Sequence, residues 1–127
     1  MTQSVLEHVN FTVPDAARSA AWLCAVFGWK IRWQGAARNG GQSIHVGSDD
    51  QYLVVFTPKE GSLSNTQGRD VTGAMNHIGV VVDDLDAVEA RVKAQGYETF
   101  NHADYEPGRR FYFEDENGIE FEVVSYA

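Results

Sequence analysis

The chain has 127 residues, 43% of them hydrophobic and 22% charged, enough to bury one domain-sized core or two small halves that share one. Ten Lys and Arg against eighteen Asp and Glu leave a formal charge of −8, which argues against nucleic acid or an anionic membrane surface as the main partner, since both need a basic patch. A single cysteine, Cys24, excludes an intrachain disulfide. With neither a leader pattern nor an apolar run of membrane length, a cytoplasmic location is expected.

Glu7 to Val13 alternates, with Val9, Phe11 and Val13 on one face and His8, Asn10 and Thr12 on the other, the period of a half-buried strand. Pro14 breaks it and Asp15 can cap a helix. Ala16, Ala20, Leu23 and Phe27 then mark one helical stripe, which Gly28 can end. Three strands are predicted next, at Trp29–Gln34, Gln42–Val46 and Tyr52–Thr57, separated by turns rich in Gly, Asn and Asp. Residues 58–72 are polar and lack apolar periodicity, the pattern of a linker or flap.

The same programme then restarts. Asn76 to Val82 alternates, Asp84 caps, and Leu85, Val88 and Val92 mark a helix that ends near Gly96. Tyr97–His102, Arg109–Glu114 and Ile119–Ser125 are three further strands, the last two joined by a turn at 115–118. His8 and His77 lie 69 positions apart, as do Asp15 and Asp84, while Gly28 and Gly96 lie 68 apart. A duplicated βαβββ unit is the organising feature, with module one at about 5–57 and module two at about 74–125 of a single 1–127 domain.

EHVNFTVPD, AAWLCAVFGWKI, NHIGVVVDDLDAVEARVKAQGYE and FYFEDENGIEFEVV together resemble the vicinal oxygen chelate superfamily over about Val5 to Val124. That superfamily contains glyoxalase I, extradiol dioxygenases, fosfomycin-resistance proteins, methylmalonyl-CoA epimerases and metal-free bleomycin-binding proteins. The resemblance implies an α+β fold in which two tandem βαβββ modules form a curved, cup-like mixed sheet with helices outside. It also implies a homodimer, with modules pairing within one chain or between two.

Each module pairs an apolar strand face with a face that carries an imidazole or a carboxylate. His8 shares its face with Asn10 and Thr12, His77 with Gly79 and Val81, and Glu120 and Glu122 share one face of the last strand. Two imidazoles and one carboxylate suit Zn²⁺, Ni²⁺, Mn²⁺ or Fe²⁺ and leave positions open for substrate. Each histidine alone is more commonly a surface residue; their equivalent places in a repeat strengthen the set. The resemblance assigns the metal ligands to His8, His77 and Glu122, and prefers Glu122 to Glu120 because it follows Gly118 in a Gly-x-x-x-Glu ending.

One departure from the family pattern falls on the fourth strand. Glyoxalase I and the epimerases carry a further carboxylate there, whereas this chain has Val54 or Val55. The general base of that proton shuttle is missing from its place. His45, Tyr112 and Glu120 remain as candidate catalytic groups, the first two as proton donors in a dioxygenase. Tyr52, Phe56 and Arg110 are candidate substrate-binding residues, suited to a small, partly aromatic molecule. Trp22, Trp29 and Trp33 read as core or module-interface residues, and Cys24 as an inert packed thiol.

Two functions follow from this reading. One is a metal-dependent lyase, isomerase or ring-cleaving dioxygenase acting on a small substrate with vicinal oxygens. The other is a metal-free binding protein for an antibiotic of the bleomycin type, which the negative charge would suit if the drug is cationic.

Overall fold

A computed structural model of the chain describes residues 2–62, 70–105 and 108–127. The chain divides into two compact units, residues 1–63 and 64–127. The first contains β1 (His8–Thr12), α1 (Ala16–Phe27), β2 (Lys30–Ala36), β3 (Gln42–Gly47) and β4 (Tyr52–Thr57). The second contains β5 (Ile78–Val81), α2 (Leu85–Ala94), β6 (Thr99–Tyr105), β7 (Gly108–Glu114) and β8 (Glu120–Ser125). The fold is α+β, two tandem βαβββ modules, as the repeat predicts. Of the polar stretch read as a linker, residues 63–69 lie outside the described part.

The two sheets have the same plan. Their strand orders are β1-β4-β3-β2 and β5-β8-β7-β6, with the first pair parallel and the other two pairs antiparallel. A parallel pair needs a crossover, and each helix lies within one. The Asp15 carboxylate accepts the Arg18 N–H at 3.1 Å and the Asp84 carboxylate accepts the Ala87 N–H at 3.1 Å, so both predicted caps form. Gly28 closes α1 in the left-handed region at φ 69°, donating its N–H to the Cys24 carbonyl. The repeat extends to side chains: the Thr57 hydroxyl donates to the Val13 carbonyl at 3.0 Å, and the Ser125 hydroxyl to the Asp83 carbonyl at 3.2 Å.

One face of each sheet carries the core. α1 sets Ala16, Ala20, Leu23 and Val26 against β3 and β4, where Ile44, Val46 and Val55 are fully buried. Val26 takes the place expected of Phe27, which is half-buried and leans on Trp29 at 4.8 Å. In the second unit Leu85, Val88 and Val92 cover Phe111, Phe113, Phe121 and Val123, with Phe113 and Phe121 stacked at 5.1 Å. Emptying one of these phenylalanine sites would cost roughly 3–5 kcal/mol.

Strand ends shift where pairing partners run out. His77 falls just before β5, whose ladder starts at Ile78 opposite Phe121. β6 starts at Thr99 rather than Tyr97, because the Tyr97 N–H is still held by the Val92 carbonyl at the end of α2. Both edge strands are irregular: β2 shifts register between Ile31 and Trp33, and β6 between Phe100 and Ala103. In β6 the extra residue, Asn101, takes φ 53°, and His102 turns to the helix side, 2.6 Å from the Glu89 carboxylate of α2.

The other face is set by register. In the first unit Asn10, Val54, His45 and Trp33 form one row across the four strands, and Thr12, Phe56, Ser43 and Gly35 form the next. In the second, Gly79, Glu122, Tyr112 and Phe100 form the matching row, followed by Val81, Val124, Arg110 and Ala103. Val54 therefore stands where Glu122 stands, His45 where Tyr112 stands, and Trp33 where Phe100 stands.

Candidate functional site

On the second sheet His77 and Glu122 come together. The parallel pairing of β5 and β8 puts Gly79 opposite Glu122, and His77, one step back on the same face, brings Nε2 to 3.1 Å from Glu122 Oε1. His77 Nδ1 lies 2.7 Å from the Asn76 side-chain oxygen, which accepts its proton in the tautomer protonated at Nδ1. In that tautomer Nε2 presents a lone pair to a carboxylate oxygen, and a proton or a metal ion between them would satisfy both. The 3.1 Å separation suits two donors on one ion, since ligands about 2.1 Å from a metal stand roughly 2.9–3.4 Å apart. The pair fits a borderline divalent ion.

Glu122 has a second partner. Arg110, on β7, donates Nη1–H to Glu122 Oε2 at 2.8 Å, and the two side chains are only 12% and 15% exposed. The carboxylate drives the guanidinium pKa upward, and the guanidinium also lies over the Tyr105 ring at 4.6 Å. Its Nε is buried without a hydrogen-bond partner among the described residues. Tyr112 meets the His77 ring edge-on at 5.9 Å, and burial, then the nearby Glu122 charge, push its phenol pKa up. Tyr112 is therefore held as a hydroxyl. Glu120 sits one row away opposite Glu114 and is half-buried.

On the first sheet His8 lies opposite Tyr52 across the β1–β4 ladder. His8 Nδ1 donates to the Glu7 carboxylate at 3.1 Å, which leaves Nε2 as the acceptor nitrogen. The Tyr52 hydroxyl also donates to Glu7, lowering the carboxyl pKa and raising its own. His8, Tyr52 and His45 lie nearly parallel, with Tyr52 5.4 Å from His8 and 5.1 Å from His45. Arg32 caps the Tyr52 ring at 4.3 Å. Burial, with His8 close by, lowers the His45 pKa, so its ring is neutral at pH 7.

The tryptophans differ in burial. Trp22 is buried at 4% exposure, but Trp33 is 49% exposed, because the β2 irregularity places it on the open face beside His45 at 5.0 Å. Its ring lies over Gly35, where a Cβ would come within 2.8 Å of it. Cys24 is half-buried in α1 and burial pushes its thiol pKa up, in keeping with an inert residue. Phe56 stands apart from this cluster, in the wall of a separate cavity. Among the described residues no three His, Cys, Asp or Glu side chains converge as a ready metal cluster.

Three contributors were not singled out from sequence: Glu7, Asn76 and Arg32. The first two carried a signal, because each is an oxygen-bearing residue directly before a repeat-equivalent histidine. Arg32 carried none, since its reach over Tyr52 depends on strand pairing.

The family model described as Glyoxalase/Bleomycin resistance protein/Dioxygenase superfamily matches residues 5–123. No curated protein matches the chain. Among solved structures, a glyoxylase/bleomycin resistance protein/dioxygenase domain from Frankia sp. EAN1pec is 20% identical, with 98% of each chain covered and a TM-score of 0.81. A mutant of the fosfomycin resistance protein FosX from Listeria monocytogenes, complexed with Mn(II) and 1S,2S-dihydroxypropylphosphonic acid, is 20% identical over 97% of this chain and 93% of that one, TM-score 0.76. FosX from Mesorhizobium loti is 23% identical over 97% and 92%, TM-score 0.70. At these identities the likeness is one of fold.

Proposed function

The chain belongs to the Glyoxalase/Bleomycin resistance protein/Dioxygenase superfamily, and from that membership we propose a metal-dependent enzyme that acts on a small substrate with vicinal oxygens. His8, His77 and Glu122 would hold a divalent ion, drawn from one chain or from two copies in a homodimer. One observation carries the reading. Both histidines have Nδ1 held by the side chain of the preceding residue, so both offer Nε2, and one Nε2 already faces Glu122 at 3.1 Å. Fixing the far nitrogen in this way orients a ligating imidazole and raises its basicity. FosX, bound to Mn(II) and a vicinal diol in the Listeria structure, supports the substrate class.

The ion would supply Lewis acidity toward the two substrate oxygens. The chain's own groups set what surrounds them. Tyr112, kept protonated, can donate a hydrogen bond or proton to a substrate oxygen beside His77. Neutral His45 can accept a proton on the first sheet. Val54, 2% exposed, offers no base where Glu122's counterpart would stand, which disfavours a glyoxalase I proton shuttle.

The second reading, a metal-free binding protein, draws on Arg110. Its ion pair already satisfies Glu122 without a metal. Elemental analysis of protein purified without a metal-affinity step, beside Glu122→Ala, separates the two. Near-stoichiometric metal lost in the variant is the expected result: iron would direct assays to catechols, and zinc, nickel or manganese to lyase and isomerase substrates. No metal after reconstitution would remove the enzyme reading and favour the binder.

A further inference from the structure

The first unit contains a cavity of about 490 Å³ that the metal reading does not use. It is lined by Asn10, Thr12, Ala37, Arg38, Ser43 and Phe56. Four of these carry polar side chains, and all four can donate: the guanidinium fork, the amide N–H pair and two hydroxyls. Among the described residues none of the four side chains is engaged in a hydrogen bond or ion pair. Ser43 is a particular case, because it is 8% exposed and opens onto this space. Among the described residues no carboxylate lines the cavity, in a chain of net charge −8.

The turn that bears Arg38 is built against this cavity. Asn39 and Gly40 take φ 55° and 79°, both left-handed, and the Ala37 N–H donates to the Gly41 carbonyl at 2.9 Å. Gly41 rests against Phe56 so tightly that a Cβ there would lie 2.6 Å from the ring and 2.7 Å from the Thr57 carbonyl oxygen. The turn is thus pressed onto the aromatic wall, and Arg38 is placed at the rim, with Thr12 of β1 and Ser43 of β3 on either side of Phe56 of β4.

We propose that this cavity is a subsite for an oxyanion group, a carboxylate or phosphoryl-type anion, on a substrate whose apolar part lies along Phe56. The guanidinium would pair with the oxyanion, and Ser43, Thr12 and Asn10 would donate to it, making charge-assisted hydrogen bonds. That the bound anion belongs to a substrate rests on the metal reading above; that an anion binds here does not. Thr12 is four residues along β1 from His8, about 13 Å at strand rise. A ligand occupying both ends therefore has several carbons or a ring between its oxyanion and its reacting oxygens.

The test titrates 3-phenylpropanoate, and 3-phenylpropanol as its uncharged counterpart, into ¹⁵N-labelled full-length protein in EDTA, following backbone amide shifts. The acid should produce saturable shifts over residues 37–43 and the alcohol none. Arg38→Gln, a change at an exposed position, should weaken the acid about tenfold or more, and Ser43→Ala about threefold. Unchanged affinity in Arg38→Gln, equal binding of the alcohol, or shifts confined to the surroundings of Arg32 or Arg110 would overturn the proposal. Glu122→Ala should bind the acid normally while losing any metal, so a failure of the subsite is seen apart from a failure of the metal reading.

Discussion

Replacing Arg110 with Met tests whether the second sheet is arranged around a cation. Methionine keeps much of the stem volume and removes the charge. The Arg110–Glu122 contact is a 2.8 Å charge-assisted bond between side chains 12% and 15% exposed, so its loss should destabilise metal-free protein by about 2 kcal/mol. For a chain of this length that is a fall in Tm of about 8 °C. Metal affinity should move the other way. A guanidinium on Oε2 stands within about 5 Å of any cation on Oε1, and at an effective dielectric near 20 that repulsion is several kcal/mol. An orienting neighbour contributes less, roughly 1.4–2.8 kcal/mol, the tenfold to hundredfold effect seen for such groups. Repulsion wins, and Mn²⁺ should bind Arg110→Met at least about tenfold more tightly. Calorimetric titration with Mn²⁺, together with Tm measured in EDTA and in a Mn²⁺ series, reads both effects. Weaker Mn²⁺ binding in the variant would refute the reasoning and make Arg110 a support of the ligand rather than its competitor.

Two further outcomes are expected. Glu7→Ala should weaken metal binding about tenfold to a hundredfold, because His8 loses the acceptor that fixes its Nδ1 proton; an unchanged titration would mean that His8 is not a ligand. Asp115 is 7% exposed, and burial raises its pKa to about 6 although its carboxylate accepts the Asn117 and Ile119 N–H groups at 2.9 and 3.0 Å. The folded state thus binds this proton more tightly than the unfolded one. Its contribution is complete below about pH 4 and is lost as pH rises through 6, a change on the order of 3 kcal/mol. Asp115→Asn keeps the accepting oxygen and should flatten urea-measured stability over that window, whereas a variant that tracks the parent slope would count against a buried neutral acid.

The modules and their helices were readable from residues because their signals are local. Alternation, the capping aspartates and the recurring 69-residue spacing require no knowledge of what pairs with what. Tyr52–Thr57 appears as written, and Asp15, Asp84 and Gly28 cap where expected. Of the three residues assigned to a metal, His77 and Glu122 meet on the second sheet. What stayed hidden depends on register. Arg110 reaches Glu122 only because β7 sets it opposite Val124, one row from the carboxylate, and nothing in residues 108–114 reveals that pairing. Trp33 sits on the open face beside His45 only because β2 shifts register after Ile31, which no local pattern announces.

The irregularity in β6 has a consequence for how such sheets can change. In β7 or β8, bonded on both sides, an inserted or deleted residue would exchange the two faces and send phenylalanines to water. β6 is bonded on one side only, and the extra residue at Asn101 is absorbed there without disturbing β7. Removing Asn101 would leave His102 opposite Phe111, still on the helix side toward Glu89, with Phe100 and Ala103 kept on the open face. The outermost strand is thus where the chain can gain or lose a residue while each face keeps its contents and the packed interior is left alone. A residue-by-residue alignment to any relative lacking the bulge would slip by one place beyond Phe100.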